Sequence, residues 1–378
     1  MGIIGVGSMG SNHARLIQEG RVPGMVLVAV CDRNTEAMNS FSGISRFSEP
    51  EEMMGSGQVD AVLIATPHYD HTPLGIAALE AGLHVIVEKP ISVHKADAEK
   101  LIAAYDPAGK QIFAAMFNQR TDPRYRKLKA MMETGELGQV RRIHWAITDW
   151  FRSEAYYRSG GWRATWAGEG GGVLLNQCPH QLDLWQWLFG MPSAVTAICQ
   201  NGRFHEIEVE DAVTALMEYD DGTTGVFTTT TGEAPGENRL SVATDRGLLV
   251  VGPGGLHFRR TEFPVQEFIQ TTPGRFEGPP VWEIEIPVSG QGEQHLGILK
   301  NFVQAIRGEA TLLAPATEGI HSVELANAMI LSGTKRARVD LPISSAEYAE
   351  ELKKKIATST YIKPTGTEIK EDDFSKSF

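Results

Sequence analysis

Two short segments place side chains that can donate or accept protons directly after apolar runs of the sequence. The first segment is Glu88-Lys89-Pro90, and the second contains Thr66, Pro67, His68 and His71. Because ligands bind beyond the carboxyl ends of the strands in an open parallel sheet, we expect Lys89 to project into a ligand site. From spacing alone, a surface lysine before a turn proline is the simpler interpretation.

A third segment combines a glycine run with an amide, an imidazole and a carboxylate. It covers residues 170–183 and contains Asn176, His180 and Asp183. Asn176 and His180 are four residues apart, so they share one face of a helix if Pro179 lies in its first turn. We expect His180 to act as a general base whose tautomer is fixed by a hydrogen bond to Asp183. The alternative is a histidine that is satisfied within the core.

Glycines near the start of the chain have the spacing of a dinucleotide-binding loop. The pattern G-x-G-x-x-G spans Gly5, Gly7, Ser8, Met9 and Gly10. It follows an apolar strand and opens a helical pattern, which is the context that the motif requires. Gly5 permits the tight turn, Gly7 lets the backbone approach a pyrophosphate, and Gly10 lets the helix pack closely on the strand.

A carboxylate completes this motif and indicates which dinucleotide binds. Asp32 ends the next strand, about 20 residues beyond the glycines, where it can accept hydrogen bonds from both adenosine ribose hydroxyls. Its charge would repel a 2′-phosphate, so the sequence favours NAD over NADP. The neighbouring Arg33 could bind that phosphate, which leaves NADP open as the alternative.

The segment at 66–71 can then be assigned to the nicotinamide side of the cofactor. Thr66, Pro67, His68 and His71 are predicted to contact it, together with Glu88 and Lys89. A zinc site built on His68 and His71 would need a third ligand, which the sequence does not provide. We therefore predict no metal.

Aromatic side chains are concentrated between residues 145 and 187. They are Trp145, Trp150, Tyr156, Tyr157, Trp162, Trp166, Trp185 and Trp187. Trp162 and Arg163 lie in a glycine-rich stretch and suit stacking and hydrogen bonding to a polyhydroxylated ligand. Asn118 and Arg120 follow the last strand of the first domain. We assign these four residues and Asp183 to substrate binding.

The first third of the chain must position the cofactor motifs. Strand-like runs at 1–6, 26–31, 59–65, 84–88 and 111–117 alternate with helical patterns at 11–19, 73–81 and 95–105. This alternation predicts a doubly wound, parallel Rossmann sheet, in a domain of residues 1–120.

The pattern changes after residue 120. Asp122 and Pro123 resemble the cap and first residue of a helix that reaches about residue 134. Long strand-like runs follow at 141–150, 194–201, 212–219 and 224–231, and helical patterns at 296–307 and 318–332. We predict an α+β domain over 121–363, with a large open, mostly antiparallel sheet and helices on one face. Residues 364–378 are predicted to be a mobile tail.

Bulk composition excludes several classes of function. The 378 residues carry a net charge of −12, so they offer no basic surface for nucleic acid or an anionic membrane. Cys31, Cys178 and Cys199 are far apart and form no disulfide framework. No apolar run is long enough for a membrane span, and the first residues lack a basic segment. We expect a cytoplasmic protein.

Taken together, these motifs resemble those of the Gfo/Idh/MocA family of oxidoreductases, which includes glucose–fructose oxidoreductase and inositol dehydrogenase. The resemblance runs from residue 5 to about 341, and it rests on the glycine motif with Asp32 and on segments 65–68, 78–90 and 170–188. It implies a Rossmann domain followed by an α/β domain with a large open sheet. It also implies a homodimer or homotetramer.

The resemblance also implies a catalytic set. Many dehydrogenases of this family use the lysine of Glu-Lys-Pro with the aspartate and histidine of D-x-x-x-H. Lys89 and His180 match the lysine and histidine, whereas Asn176 occupies the acidic position. An amide can orient a hydroxyl group but cannot stabilise an imidazolium by charge, so either Asp183 orients His180 or the mechanism is modified.

The expected function is hydride transfer between nicotinamide and a carbinol of a sugar, glycoside or cyclitol. His180 would remove the hydroxyl proton, Lys89 would stabilise the alkoxide, Asn176 would position the hydroxyl, and Trp162 and Arg163 would hold the rest of the sugar. One alternative is a redox-neutral, NAD-dependent glycosidase that works by transient oxidation and elimination. Another is a dinucleotide-binding regulatory protein without enzymatic activity.

Overall fold

The computed structural model describes residues 1–290 and 292–364, and its first layer is a six-stranded sheet in which every pairing is parallel. The strands are β1 (Gly2–Ile4), β2 (Ala29–Cys31), β3 (Ser45–Phe47), β4 (Ala61–Ile64), β5 (His84–Val87) and β6 (Phe113–Ala115). Their order is β3-β2-β1-β4-β5-β6. Helices between the strands are α1 (Ser8–Gln18), α2 (Pro50–Gly55), α3 (His68–Glu80) and α4 (Lys95–Ala103). The predicted Rossmann architecture is therefore confirmed.

Several elements of this domain differ from the sequence prediction, and α2 was not predicted at all. Helix α3 begins at His68 instead of residue 73, and Pro73 lies inside it. The earlier start is stabilised by the buried ring of His71, which contacts the backbone carbonyls of Thr66 and Pro90. Strand β3 was not predicted because its three residues are not buried and form no apolar run.

The second layer is a nine-stranded sheet. Its strands are β7 (Val140–Ile147), β8 (Ala194–Asn201), β9 (Glu210–Glu218), β10 (Thr224–Thr230), β11 (Asn238–Thr244), β12 (Gly247–Gly252), β13 (Gly255–Thr261), β14 (Val281–Ile286) and β15 (Val339–Asp340). Their order is β14-β13-β12-β11-β7-β10-β9-β8-β15. The β7–β10 pairing is parallel and the other pairings are antiparallel, which confirms the predicted, mostly antiparallel character of this sheet.

Helices α5 to α11 follow the first sheet in the described part of the chain. They are α5 (Pro123–Glu133), α6 (Glu154–Arg158), α7 (Pro179–Phe189), α8 (Val265–Thr271), α9 (Gln294–Ile306), α10 (Gly319–Lys335) and α11 (Ser345–Thr358). Asp122 caps α5 by accepting a hydrogen bond from the backbone N–H of Arg124, as its position before Pro123 predicted. Within the described ranges, no helix is both long and apolar enough to cross a membrane.

The hydrophobic residues form two large clusters, and these do not divide the chain at a single position. Leu296, Leu299 and Phe302 of α9 belong to the cluster of the first sheet, although they lie far beyond the predicted domain boundary at residue 120. Helix α9, within the predicted domain of residues 121–363, thus packs in the core of the Rossmann domain. This packing was not visible in the sequence, because helical periodicity does not identify the sheet that a helix covers. Of the predicted tail at 364–378, residues 365–378 lie outside the described residues.

Candidate active site

A cavity of about 820 Å³ lies at the carboxyl ends of five strands of the first sheet. Residues that directly follow β1, β2, β3, β4 and β5 line one side of it, as expected for a ligand site in an open α/β sheet. The opposite side is formed by side chains from residues 150–163 and by the first residues of α7 and α9. Both domains therefore contribute to one site.

The glycine loop between β1 and α1 has the shape that a pyrophosphate requires. Gly5 has a φ of +87°, and a Cβ there would lie 2.7 Å from the carbonyl oxygen of Ala65. A Cβ on Gly10 would lie 1.8 Å from the carbonyl oxygen of Gly5, so only glycine permits this contact between helix and strand. By contrast, a Cβ on Gly7 would meet no atom within 4 Å, and Gly7 lines the cavity beside Ser8 and Met9. The start of α1 thus offers backbone N–H groups to an anion.

Asp32 and Arg33 line the same cavity at the end of β2. The Asp32 carboxylate accepts hydrogen bonds from the backbone N–H of Val6 and of Asn34, each at 2.8 Å. These two bonds fix its orientation beside the glycine loop. Each carboxylate oxygen keeps acceptor capacity for the hydroxyls of a ribose.

The segment after β4 reaches the cavity, but its histidines are engaged by the backbone. Thr66, Pro67, His68 and His71 all line the cavity. Both ring nitrogens of His71 lie against carbonyl oxygens, at 2.7 and 2.9 Å, so neither is directed towards a ligand. The ring of His68 contacts that of Trp162, with 5.0 Å between their centroids. Among the described residues, no group of three or more possible ligands is arranged to hold a metal ion.

Glu88 and Lys89 end β5 at the centre of the cavity. Burial raises the pKa of the Glu88 carboxyl, but its hydrogen bond to His13 and the charge of that histidine outweigh burial and bring the pKa to about 2. The Lys89 ammonium donates a hydrogen bond to the backbone carbonyl of Asn176 at 2.7 Å. Burial lowers the pKa of Lys89, and the charge of Glu88 opposes this effect. The hydrogen bond from Lys89 connects the Rossmann domain directly to the glycine-run segment.

His180 is the second residue of α7 and lines the same part of the cavity. Burial, followed by the charges of Lys89 and His295, holds its pKa well below the usual value for histidine. The imidazole is therefore neutral near pH 7 and has a lone pair that can accept a proton. Pro179 occupies the first helical position, so Asn176 precedes α7 and the prediction that it shares a helix face with His180 is wrong.

Asp183 does not orient His180, so that prediction is wrong. Both of its carboxylate oxygens accept hydrogen bonds from the Arg120 guanidinium, at 2.6 and 2.7 Å, and each side chain is 1% exposed. The buried Nδ1 of His180 has no hydrogen-bond partner among the described residues. Arg120 also pairs with Glu318.

Three of the five predicted substrate residues lie outside the cavity lining. Arg120 and Asp183 form the buried ion pair, and the Asn118 side chain donates a hydrogen bond to Gln294. Asn118 and Arg120 belong to the turn after β6, which packs between α7 and α9 instead of facing the cavity. Their place after a Rossmann strand was correct, but the side chains join the two domains.

The other two predicted substrate residues line the cavity and form an aromatic and cationic wall. The Arg163 guanidinium lies 4.7 Å from the ring centroid of Trp162 and 4.8 Å from that of Tyr156. It also donates a hydrogen bond to the Tyr156 hydroxyl at 2.9 Å. The two rings and this hydrogen bond hold the guanidinium at the wall of the cavity.

Asn176 lines the cavity between Lys89 and Tyr156. Its Nδ2 donates a hydrogen bond to the carboxylate of Glu169, while its Oδ1 accepts one from the Tyr156 hydroxyl at 3.2 Å. The position that the resemblance assigns to an acidic residue is thus an amide in direct contact with a buried carboxylate.

Two family models match the chain. One, described as an oxidoreductase family with an NAD-binding Rossmann fold, matches residues 1–116, and the other, the GFO/IDH/MocA C-terminal domain, matches residues 125–250. The chain belongs to the Gfo/Idh/MocA family. Its first domain is an NAD-binding Rossmann domain, which confirms the cofactor predicted from the glycine motif.

Curated relatives of this Gfo/Idh/MocA protein match part of their length. Inositol 2-dehydrogenase 4 of Saccharopolyspora erythraea is 30% identical over 202 residues, which are 52% of this chain and 55% of the relative. The uncharacterized oxidoreductase YdgJ of Escherichia coli is 33% identical over 198 residues, with the same shares covered. The chain thus spans about half the length of these relatives.

Solved structures match over nearly the whole chain. The WlbA dehydrogenase of Chromobacterium violaceum, in complex with NADH and UDP-GlcNAcA, is 27% identical with a TM-score of 0.77 and covers 91% of this chain and 96% of its own. The WlbA dehydrogenase of Bordetella pertussis, with the same ligands, is 25% identical with a TM-score of 0.75 and covers 91% and 98%. A levoglucosan dehydrogenase at 22% identity and a TM-score of 0.72, covering 90% and 99%, shares the fold.

Sequence reasoning missed several cavity residues of this Gfo/Idh/MocA protein. They are Arg152, Tyr156, Gln177 and His295, together with Glu169 just behind the lining. Tyr156 was noted as one of the clustered aromatic residues, but nothing distinguished it from those in the core. Glu169 directly precedes the glycine run, and this adjacency is the one feature that could have drawn attention to it.

Proposed function

We propose that this protein is an NAD-dependent dehydrogenase that transfers a hydride between nicotinamide and a carbinol carbon of a sugar, glycoside or cyclitol. The observation that carries the proposal is the meeting of Lys89 and His180, from different domains, in one cavity at the carboxyl ends of the Rossmann strands. A neutral imidazole can accept the proton of an alcohol, and a primary ammonium can stabilise the negative charge that develops on its oxygen.

When bound, NAD supplies the acceptor for the hydride that leaves the carbinol carbon. Neutral His180 accepts the hydroxyl proton, and the Lys89 ammonium stabilises the negative charge that develops on the same oxygen. The Asn176 side chain orients the hydroxyl, and Trp162 and Arg163 hold the remainder of the substrate. In the reverse direction, His180 returns the proton to the alkoxide.

The cofactor preference of the proposed enzyme is for NAD over NADP. Asp32 is fixed by two backbone N–H groups beside the glycine loop, and its negative charge disfavours a 2′-phosphate. Arg33 also lines the cavity, but it follows Asp32 on the same turn, so any attraction for the phosphate must compete with that carboxylate.

The comparisons support a carbohydrate substrate. The relatives include inositol 2-dehydrogenases, and the WlbA structures hold NADH together with UDP-GlcNAcA. The aromatic and cationic wall of Tyr156, Trp162 and Arg163 suits a polyhydroxylated ring, because such rings pack on aromatic faces while their hydroxyls accept charged hydrogen bonds.

The test is to mix the purified protein with NAD or NADP and to screen inositols, aldoses, sugar acids and glycosides. Reduced cofactor is followed by absorbance, and released free sugar is assayed in the same wells. Formation of NADH with a particular alcohol supports the proposal. Release of sugar without net NADH would replace it with the redox-neutral glycosidase. NAD binding with no reaction across the screen would favour a regulatory protein and overturn the dehydrogenase proposal.

A further inference from the structure

Glu169 is a buried carboxylate directly behind the reacting end of the cavity. It is 1% exposed and immediately precedes the glycine run that leads to Asn176. One carboxylate oxygen accepts the backbone N–H of Ala164 at 2.6 Å, and the other accepts the side-chain N–H of Asn176. A carboxylate can only accept hydrogen bonds, so it determines which end of the Asn176 amide faces it.

The contact with Glu169 therefore fixes the orientation of the Asn176 side chain. Nδ2 points towards Glu169, so Oδ1 is turned towards the Tyr156 hydroxyl at 3.2 Å and the Gln177 side-chain nitrogen at 3.1 Å. Tyr156 and Gln177 both line the cavity. Asn176 consequently presents an acceptor oxygen on the cavity side, which is what a carboxylate at that position would present.

Glu169 also places a negative charge close to Lys89. Burial raises the pKa of Glu169 above its usual value, and the opposing effects of Arg163, the Asn176 amide, the Ala164 N–H and Lys89 offset this only in part. Burial lowers the pKa of Lys89, and the charges of Glu88 and Glu169 oppose that change. The titratable or charged groups that act on this lysine or this carboxylate are Glu88, Arg152, Arg163, His68, His180, His295, Cys178, Tyr157, Glu210 and Lys363. Besides its charge, Glu169 contributes a hydrogen bond to the side chain of Asn176.

We propose that Glu169 is a positioning residue of the active site. Its carboxylate holds Asn176 Oδ1 towards the substrate, and through its contact with Asn176 it supplies the negative charge that this amide lacks. The inference rests on the proposed dehydrogenase function. It explains how an amide can occupy the position that the resemblance assigns to an acid. The negative charge belongs to the buried Glu169, and the acceptor oxygen belongs to Asn176, which lines the cavity.

The first test replaces the carboxylate by its nearly isosteric amide, in Glu169→Gln. Because the oxygen of the introduced amide is needed for the N–H of Ala164, the introduced nitrogen would face Asn176 Nδ2, and the Asn176 amide must flip. We expect kcat to fall about 100-fold. Loss of the negative charge lowers the pKa of Lys89 further, so the basic limb of the pH profile should move down by about one pH unit. The Kd of NAD should not change.

The second test places the negative charge at position 176, in the double variant Glu169→Gln/Asn176→Asp. The carboxylate introduced at position 176 can accept from the amide nitrogen introduced at position 169, which restores both the contact and the charge near Lys89. We expect roughly tenfold recovery of kcat over Glu169→Gln and return of the basic limb. Asn176→Asp alone places two carboxylates in contact, so we expect it to be less active than the double variant.

Glu210→Gln is the matched control, because Glu210 is also buried against the glycine run and accepts the N–H groups of Gly172 and Leu174 without contacting Asn176. This variant should keep the wild-type basic limb, because the charges that act on Lys89 are those of Glu88, Glu169, Arg152 and Arg163. A Glu169→Gln enzyme with wild-type kcat and basic limb would overturn the proposal. If Glu169 has a purely structural role, Glu169→Gln should lower both Tm and kcat, leave the basic limb where it is in the wild type, and not be rescued by adding Asn176→Asp. This result would also overturn the proposal.

A measurement without substrate separates this inference from the proposed function. The rate at which acetic anhydride modifies Lys89, followed by mass spectrometry against pH, reports the pKa of its ammonium in each variant. A lower pKa of Lys89 in Glu169→Gln, restored in the double variant, supports the placement of the negative charge. If this result is found but no sugar is oxidised, the dehydrogenase proposal alone fails. Identical pKa values in wild type and Glu169→Gln would overturn the inference even if sugars are oxidised.

Discussion

The ammonium nitrogen of Lys89 lies 2.7 Å from the backbone carbonyl oxygen of Asn176. This hydrogen bond joins the carboxyl end of β5 in the Rossmann domain to the glycine-run segment that precedes α7. It fixes Lys89 between the cofactor side and the substrate side of the cavity. The position of the lysine is therefore set by both domains, and its charge is available for an oxygen that binds between them.

Removal of the Lys89 ammonium should affect the chemical step far more than cofactor binding. In Lys89→Met the aliphatic stem is kept and the charge is lost, so the developing alkoxide loses a preorganised donor. We expect kcat to fall about 10²- to 10³-fold, with a far smaller change in the Kd for NAD. Steady-state kinetics and a binding titration check the two values. Equal activity in the variant would contradict the role given to Lys89.

The pH profile should depend on His180 and Lys89 in opposite directions. His180 must be neutral to accept a proton, and because its pKa is held well below the usual value, activity should be lost only well below pH 6.5. Lys89 must be charged, and because its pKa is lowered, activity should be lost as pH rises through a value below 10.5. In His180→Asn we expect kcat about 10²- to 10⁴-fold lower and no acidic limb. A profile of kcat/KM for wild type and variant tests this, and an acidic limb that survives in the variant would assign it to another group.

Asp32 should control the choice between NAD and NADP. Replacing it in Asp32→Ser removes the charge that opposes a 2′-phosphate and leaves Arg33 beside the site. We expect kcat/KM for NAD to fall about tenfold, because the charge-assisted hydrogen bond between the carboxylate and a ribose hydroxyl is lost. The kcat/KM for NADP should rise, because the repulsion of the 2′-phosphate is removed. Asn34→Ala is the control, since Asn34 contacts Asp32 only through its backbone N–H and lies outside the cavity. An unchanged preference in Asp32→Ser would show that the discrimination lies elsewhere.

Local motifs were predictable from the sequence, whereas partners distant in sequence were not. Gly5, Gly7, Gly10 and Asp32 act within one βα turn and the next strand, so their roles follow from spacing. The partner of Asp183 is Arg120, 63 residues away, and proximity in sequence to His180 suggested the wrong one. Helical periodicity likewise could not place α9 on the first sheet. The cytoplasmic location and the homodimer or homotetramer stay predictions.

The Arg120–Asp183 pair should matter for stability and not for catalysis. Both side chains are 1% exposed, so Asp183→Asn leaves a buried guanidinium whose remaining partners are the Glu318 carboxylate and the backbone carbonyl of Leu313. We expect the free energy of unfolding to fall by about 3 kcal/mol. Denaturant titration measures this loss, and kcat/KM per folded molecule should stay near the wild-type value. A large loss of kcat/KM in a fully folded variant would return Asp183 to the substrate site.

The substrate side of the cavity should favour sugars that carry an anionic group. Arg152 and Arg163 each lower the pKa of Lys89, and neither arginine forms a salt bridge with any carboxylate of the described residues. Two carboxylates, Glu88 and Glu169, also act on Lys89, so the three cations outnumber the anions around this lysine by one. A carboxylate on the substrate would provide the missing partner through charge-assisted hydrogen bonds.

A uronic acid and its methyl ester form the matched pair of substrates for this prediction. They share stereochemistry and reacting hydroxyls and differ in one charge, so we expect kcat/KM to be about tenfold higher for the acid. Arg152→Gln should reduce that ratio, whereas Arg142→Gln, an exposed substitution on β7 outside the cavity, should not. The ratio should also fall as ionic strength rises, because salt screens the attraction. If the ester is oxidised as well as the acid, the cations serve another purpose and the dehydrogenase proposal is unaffected.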